Sequence, residues 1–173
     1  ENLEAKDTLA VRLKAGLSAT LSLDGIRHLF DFLDPQSFNS YEYHLTDIVT
    51  IDGQTAYVIS FKQREWVTEP LMQGDMYINV DNYSLMLVEF EVNPLYIDQT
   101  GESFISRLPK DYVMKPEYVR YHTRYRNVDG RYYLSHVRGD LGFIARGRNK
   151  VFSSRFNVFF ELAVTEHRTD NVA

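Results

Sequence analysis

The sequence contains no cysteine, which excludes several classes of protein at once. A disulfide-bonded scaffold, a thiol enzyme and a cysteine-ligated zinc or iron–sulfur site are all ruled out. No apolar run reaches the ~18–20 residues that a membrane-spanning helix needs, so we expect no transmembrane segment in this chain. No signal-peptide pattern follows Glu1, and an initiating methionine is missing. We therefore expect a processed product, or a domain excised from a longer exported protein.

Motifs for known chemistry are also missing. The five histidines, at positions 28, 44, 122, 136 and 167, have no short metal-binding spacing. No serine lies in a nucleophile elbow, and no glycine-rich phosphate loop is present. Glu89 and Glu91, two residues apart, are typical of a solvated strand face rather than of an acid–base pair. The residues therefore predict no enzyme, no metal site and no cofactor, and the acidic balance argues against nucleic acid as a partner.

Charge is distributed unevenly along the chain. Residues 1–112 hold 8 Lys and Arg against 18 Asp and Glu, whereas residues 113–173 hold 11 against 6. Antiparallel strands commonly place opposite charges side by side. We therefore interpret the two parts as pairing with each other across one sheet. A chain of 173 residues buries roughly 70% of its unfolded surface, which is enough for one domain.

Two-residue hydrophobic periodicity predicts most of the structure. Asp52-Gly53 and Asp129-Gly130 are type I′ hairpin signals, and Asp81-Asn82 marks a third turn. The polar stretch 62–73 predicts a long connection or an irregular edge. The strands predicted in this way are Tyr41–Ile51, Ala56–Phe61, Asp75–Val80, Leu85–Val92, Tyr118–Val128, Tyr132–Arg138 with a continuation to Phe143, and Val151–Val164.

Two segments have the pattern of helices. Leu3, Leu9 and Leu13 form an apolar stripe within Asn2–Leu17. Leu95–Asp111 is the best candidate for a second helix, packed over the sheet. The predicted fold is therefore α+β: one domain over residues 1–173, with a strongly curved antiparallel sheet forming a half-open barrel around two helices.

Both faces of several predicted strands carry large apolar side chains, and two interpretations remain open. In the first, the helices fill the space inside the curved sheet and the core is closed. In the second, a hydrophobic cavity remains that holds a ligand.

The order of the strand motifs resembles a known family. Gly53–Phe61, Gly74–Asp81 and Leu85–Phe90 are similar to the repeated unit of the lipoprotein-carrier superfamily of the LolA/LolB type. A closer resemblance is to Gram-negative envelope proteins that follow a carboxypeptidase-regulatory-like domain. There, Phe32–Pro35, the Tyr41 strand and the Tyr125–Leu134 hairpin occur in this order, and the resemblance extends over residues 30–165.

This resemblance implies a periplasmic or outer-membrane-associated domain without enzymatic activity. Its expected partner is a lipid, or the acyl chain of a lipoprotein, in a concave apolar cavity. The alternative is a filled scaffold that contacts another envelope protein in an outer-membrane assembly or uptake system. The residues that we expect to line the cavity are Tyr43, Tyr57, Ile59, Phe61, Tyr77, Phe90 and Tyr121.

Overall fold

The structure is a computed structural model that describes residues 12–13, 20–148 and 153–166. Nine strands are defined in this part of the chain. They are β1 (Arg12–Leu13), β2 (Tyr41–Ile51), β3 (Gln54–Gln63), β4 (Met72–Asn79), β5 (Leu85–Val92), β6 (Ile105–Arg107), β7 (Tyr112–Val128), β8 (Arg131–Gly147) and β9 (Ser153–Ala163). Short 3₁₀ turns lie at Asp31–Leu33, Phe38–Ser40 and Ile97–Thr100, and a single helical turn at Gly101–Phe104.

Seven of the strands form one antiparallel sheet in the order β2-β3-β4-β5-β7-β8-β9. The sheet is open, with β2 and β9 at its two edges. The strands β1 and β6 form a separate two-stranded pair. Strands that follow each other in the chain are neighbours in the large sheet, with one exception. The strand β6 lies outside this sheet, so β5 pairs with β7. Residues 93–111, which connect β5 to β7, are here called the crossover segment.

Two of the three predicted tight turns are confirmed. Asp52 and Gly53 have φ values of 51° and 76°, and Asp129 and Gly130 have values of 52° and 81°. Positive φ at both central residues matches the right-handed twist of a hairpin, and glycine adopts this conformation without a steric cost. The third turn is longer than predicted, because the side chain of Asn79 accepts hydrogen bonds from the backbone N–H groups of Asp81 and Asn82 and so ends β4 early.

The predicted half-open barrel around two helices is wrong. The crossover segment forms a 3₁₀ turn, one helical turn and β6 instead of the helix predicted over Leu95–Asp111. Its backbone leaves the helical conformation at Ile105, where the chain becomes extended and pairs with β1. The helix predicted over Asn2–Leu17 lies outside the described residues, except for Arg12–Leu13, which are extended and therefore inconsistent with an unbroken helix.

One face of the sheet is apolar and is covered by two pieces of chain. Residues 20–40, here called the cover segment, place Phe32 against the β2–β5 half of the sheet, where its ring stacks on that of Phe61 with centroids 4.1 Å apart. The crossover segment places Ile97 and Phe104 against the β7–β8 half. Phe32 and Phe61 are 1% and 2% exposed, so the sheet and the cover segment share one packed interior.

Two hydrogen bonds hold the cover segment to the middle of the sheet. The Gly25 N–H donates to the hydroxyl of Tyr125 (2.8 Å), and the hydroxyl of Thr123 donates to the carbonyl of Leu23 (3.2 Å). Both bonds join residues 100 positions apart in sequence. Burial raises the pKa of the Tyr125 hydroxyl well above its ordinary range, so this group stays neutral.

The buried hydroxyl of Tyr41 differs from that of Tyr125 in its hydrogen bonding. Its oxygen has no partner in hydrogen-bonding geometry within the described residues, although the backbone of Met72 lies near enough to lower its pKa slightly. Burial is the larger influence and raises that pKa far above the usual value. A buried polar group without a partner costs free energy that the same side chain without its hydroxyl would avoid.

These two tyrosines give a matched pair of substitutions. Tyr125→Phe leaves the Gly25 N–H buried without a partner, so we expect the free energy of unfolding to fall by about 1–3 kcal/mol. Tyr41→Phe removes an unsatisfied hydroxyl, so we expect no loss or a gain in stability. Urea denaturation followed by circular dichroism measures both, and a loss of stability in Tyr41→Phe equal to that in Tyr125→Phe would contradict this account.

Gly74 allows a close approach between β4 and β5. A Cβ atom at this position would lie 2.0 Å from the carbonyl oxygen of Glu89. Because that oxygen belongs to a backbone fixed in the middle of the sheet, it cannot move aside without disturbing the ladder between the two strands.

We therefore expect Gly74→Ala to lower the melting temperature by several degrees, through an overpacking cost of about 1–3 kcal/mol. Gly101→Ala is the matched control, because its nearest neighbour is 3.8 Å away and its backbone is helical. Differential scanning calorimetry should show no destabilisation of this control. Equal melting temperatures for the two variants would show that the close approach at Gly74 is unimportant.

Candidate functional site

The second face of the sheet is polar, and its side chains lie in rows that follow the strand register. One row crosses all seven strands with residues that are paired directly from strand to strand. Its members, in order, are His44, Ser60, Asp75, Glu89, His122, Arg138 and Glu161. Because side chains alternate between faces along a strand, the residues two positions away on one side of this row extend the same polar surface, namely Lys62, Gln73, Glu91 and Arg120.

This row lies in a groove of about 960 Å³, to which every strand of the seven-stranded sheet contributes residues. We call it the polar groove. Its volume is at the upper end of the range of roughly 300–1,000 Å³ that is usual for ligand pockets. Phe61, Phe90 and Tyr121 border it from below, although their rings pack into the apolar interior.

The β7–β9 side of the polar groove carries compensated charges. Arg120 contacts Glu91 at 3.0 Å, and Arg138 makes two hydrogen bonds to Asp140 at 2.8 and 3.0 Å. The hydrogen bonds from Arg138 hold the pKa of Asp140 below its usual value. The contact between Arg120 and Glu91 joins the basic and acidic parts of the chain, as the charge distribution predicts.

The centre of the groove is different, because Asp75 and Glu89 lie directly opposite each other on β4 and β5. Like charges in this arrangement are destabilising. The hydroxyl of Ser60 donates to Asp75 (2.5 Å) and the hydroxyl of Tyr77 donates to Glu89 (3.0 Å). No lysine or arginine of the described residues forms an ion pair with either carboxylate. A ring nitrogen of His122 lies 3.2 Å from Glu89.

Burial, together with the hydrogen bond to Glu89, raises the pKa of Tyr77 to about 12. Tyr77 is therefore a neutral donor at physiological pH and does not act as a base. The two central carboxylates are held in place by hydroxyl groups and, for Glu89, by the ring of His122, rather than by lysine or arginine.

The two histidines of the neighbouring strands β7 and β8 meet diagonally on this face. The rings of His122 and His136 have centroids 5.8 Å apart in an edge-to-face arrangement, and His136 contacts Glu161 at 2.5 Å. Within residues 20–148 and 153–166, no group of three or more His, Asp or Glu side chains is placed to hold a metal ion.

Five of the seven side chains predicted to line a cavity lie together on the apolar face. Phe61 and Phe90 belong to the packed cluster around Phe32, and Tyr43, Ile59 and Tyr121 pack against it. The hydroxyl of Tyr43 donates to the carbonyl of Phe32, which fixes the cover segment above these residues.

The other two predicted residues lie apart from this group. Tyr57 is on the apolar face towards the far end of β3, opposite Ile48 and Ile78. Tyr77 is on the polar face, beside Glu89. Three members of the expected set, Phe61, Phe90 and Tyr121, also border the polar groove, but the structure does not bring all seven together around one space.

Asp75 and Ser60 are the functional candidates that the sequence did not single out. The sequence does contain a signal that indicates the polar face. Most strands of the sheet carry polar residues two positions apart, such as Ser60 with Lys62 and Gln73 with Asp75. The hairpins align these pairs within β2–β5 and within β7–β9. What the sequence does not show is that the crossover segment brings β5 beside β7.

Comparison of the chain with protein-family models, with curated proteins and with solved structures finds no match. The fold and the polar groove are therefore described from this chain alone. Of the helical segments in the described residues, none is both long and apolar enough to cross a membrane.

The Arg138–Asp140 contact predicts a small pH-dependent contribution to stability. Since the pKa of Asp140 is lowered in the folded state, its contribution is fully present above the ordinary Asp value of about 3.9 and is lost as the pH falls through the lowered value. Both side chains are partly exposed, at 48% and 36%, so we expect Asp140→Asn to cost at most about 1 kcal/mol at pH 7.

Urea denaturation of the wild type and of Asp140→Asn, at pH 7 and at successively lower pH, measures this contribution. The two curves should converge in acid. The Asp81→Asn variant changes an exposed turn residue and serves as the control, which should have the stability of the wild type at pH 7. A difference for Asp140→Asn that grows on acidification would contradict the assigned role of Arg138.

Proposed function

We propose that this protein is a non-enzymatic binding scaffold that accepts an extended, basic segment of a partner protein in the polar groove. The observation that carries the proposal is the facing pair Asp75 and Glu89, which lies without a lysine or arginine partner, among the described residues, in the centre of a groove that crosses seven strands. It corresponds to the alternative drawn from the sequence, a filled scaffold that contacts another protein.

The shape of the groove suits a chain-like ligand. Seven strands at about 4.8 Å spacing extend over roughly 29 Å, and an extended chain advances about 3.3 Å per residue. A segment of about nine residues would therefore cross the whole row from His44 to Glu161. About five of its side chains, at alternate positions roughly 6.6 Å apart, would face the sheet.

The charges favour a basic ligand. Five carboxylates and three lysine or arginine side chains border the groove. The guanidinium groups of Arg120 and Arg138 are already bound to Glu91 and Asp140. A ligand lysine or arginine between Asp75 and Glu89 would remove their mutual repulsion and gain charge-assisted hydrogen bonds.

An acyl chain finds less support in the described residues. Five of the seven side chains predicted to contact it are packed with Phe32 and its neighbours, and the open volume lies on the opposite face of the sheet, beside five carboxylates. Transfer of a hydrocarbon chain onto charged groups gains little, because the favourable term is proportional to apolar area removed from water. Lipid binding stays a prediction from the family resemblance, as does a location in the cell envelope.

The direct test is fluorescence anisotropy with a labelled nonapeptide of alternating lysine and threonine. We expect saturable binding that weakens with salt and falls about tenfold in Asp75→Asn and in Glu89→Gln, which corresponds to about 1.4 kcal/mol for each. Glu69→Gln is the control, because it removes an exposed carboxylate from the connection between β3 and β4. It should bind as the wild type does.

A second measurement separates a binding site from a structural ion cluster. Because the two carboxylates repel each other in the free protein, Asp75→Asn should raise the melting temperature, or leave it unchanged, while it weakens peptide binding. The proposal fails if an alternating glutamate and threonine peptide binds equally well, or if the two variants bind normally. It also fails if a fluorescent fatty acid binds tightly and displaces the basic peptide.

A further inference from the structure

The two edge strands of the large sheet differ in regularity. The strand β2 contains a register shift between Leu45 and Asp47, and such an irregularity opposes the addition of another strand. The pairing of β9 with β8 runs from Ser153 to Ala163 without any shift. Within the described residues β9 has no strand on its outer side, so it offers eleven consecutive residues in regular extended conformation.

We infer that β9 pairs with β9 of a second copy of this chain, antiparallel, about a two-fold axis at Val158. Val158 is the central residue of Ser153–Ala163. This register therefore pairs all eleven residues, and no other register of β9 with itself does so. Two-fold symmetry also closes the assembly as a dimer, whereas pairing of β9 with β2 of another copy would continue into a filament.

The same register makes β9 complementary to itself in charge. Arg155 faces Glu161 of the second copy, and the symmetry repeats the contact in reverse. The two side chains are 75% and 49% exposed, so both can reach across the edge. Each has a contact within its own chain, to Glu117 and His136, on the same face of the sheet.

The apolar side of β9 agrees with this register. Phe156 comes opposite Phe160 of the second copy, and Val158 comes opposite itself. Phe156 is 37% exposed, and Phe160 is half-buried above Gly139. Directly opposed aromatic pairs are among the favourable cross-strand contacts.

Other registers lose these matches. Directly opposed residues of antiparallel strands lie on the same face of the sheet. The two-fold axis must therefore pass through a residue of β9, so any other register moves this axis by one or more whole residues. A shift of one residue places Arg155 opposite Phe159 or opposite Ala163, and the unshared ends of the strands lose their partners. Length, charge and aromatic contacts thus select one alignment.

The dimer would be weak, because a single strand pair buries less surface than the 1,200–2,000 Å² usual in stable complexes. A two-fold axis perpendicular to the sheet keeps the polar faces of both copies on the same side. The two polar grooves would then lie end to end, with Glu161 at the junction. The dimer does not require the proposed ligand, and its test is independent of it.

Sedimentation velocity over a range of protein concentrations tests this inference with a pair of charge reversals. We expect a concentration-dependent dimer for the wild type. Arg155→Glu places two carboxylates opposite each other, and Glu161→Arg places two guanidinium groups opposite each other. Each should therefore raise the dissociation constant at least about tenfold.

The double variant Arg155→Glu with Glu161→Arg restores opposite charges across the axis, and we expect it to recover the dimer. It does not restore the contacts to Glu117 and His136 within the chain, so recovery reports on the contact between copies. Glu69→Arg is the control for a change in net charge and should dimerise normally. Circular dichroism and melting temperatures establish that each variant is folded.

A wild type that stays monomeric at every concentration would overturn the inference. So would single variants that dimerise normally, since the contact would then lie elsewhere. A double variant as monomeric as the single ones would show that this register is wrong. Growth beyond the dimer with increasing concentration would indicate a filament through β2 and β9 instead.

Discussion

The structure depends on the burial of one face of the seven-stranded sheet. Each strand alternates between the two faces, so the apolar residues of β2–β5 and β7–β9 form a continuous surface that has to be removed from water. No long helix in the described residues does this. The cover segment supplies Phe32, which touches Phe61 and Phe90, and the crossover segment supplies Ile97 over the other half. Once these pieces are in place, the opposite face is free to carry charges.

The polar face allows the sheet to carry ionisable residues outside its apolar interior. Its charges lie in register, and most of them neutralise one another between neighbouring strands or along one strand, as with Arg120 and Glu91 or Arg138 and Asp140. The exception is the centre, where hydroxyl groups of Ser60 and Tyr77 support two carboxylates. Arrangements that destabilise the free protein are commonly found at functional sites, because function requires them there.

Sequence reasoning located β2 and β5 with their observed bounds, because turn residues and a clear two-residue period define both ends of these strands. It made β7 and β8 too short. The strand predicted over Tyr118–Val128 begins at Tyr112 in the structure, and Pro116 lies at a register shift in the part of β7 that extends beyond β5. At proline and at such shifts a strand can lose one ladder bond and still continue. The continuation predicted past Gly139 to Phe143 extends further, to Gly147, and the rings of Phe160 and Tyr118 lie over Gly139 and Gly142.

The helix predicted over Leu95–Asp111 was wrong because the apolar residues of this stretch satisfy several periods at once, and tertiary contacts decided between them. Much of the site was visible only as isolated polar pairs on separate strands. Alternation predicts which residues of one strand share a face, and hairpins align neighbouring strands. The adjacency of β5 and β7 is a long-range pairing, and no local pattern encodes it.

The unequal sequence separations within this sheet have a consequence for the order of folding. The hairpin of β7 and β8 pairs residues around Asp129-Gly130 without any long loop, so its closure costs little chain entropy. The cover segment, in contrast, reaches Thr123 and Tyr125 across 100 residues. Contacts between residues so far apart in sequence are expected to form late in folding. The β7–β8 hairpin is therefore expected to form early, and a chain in which residues 20–40 have not yet docked exposes the apolar face of the sheet and is prone to aggregate.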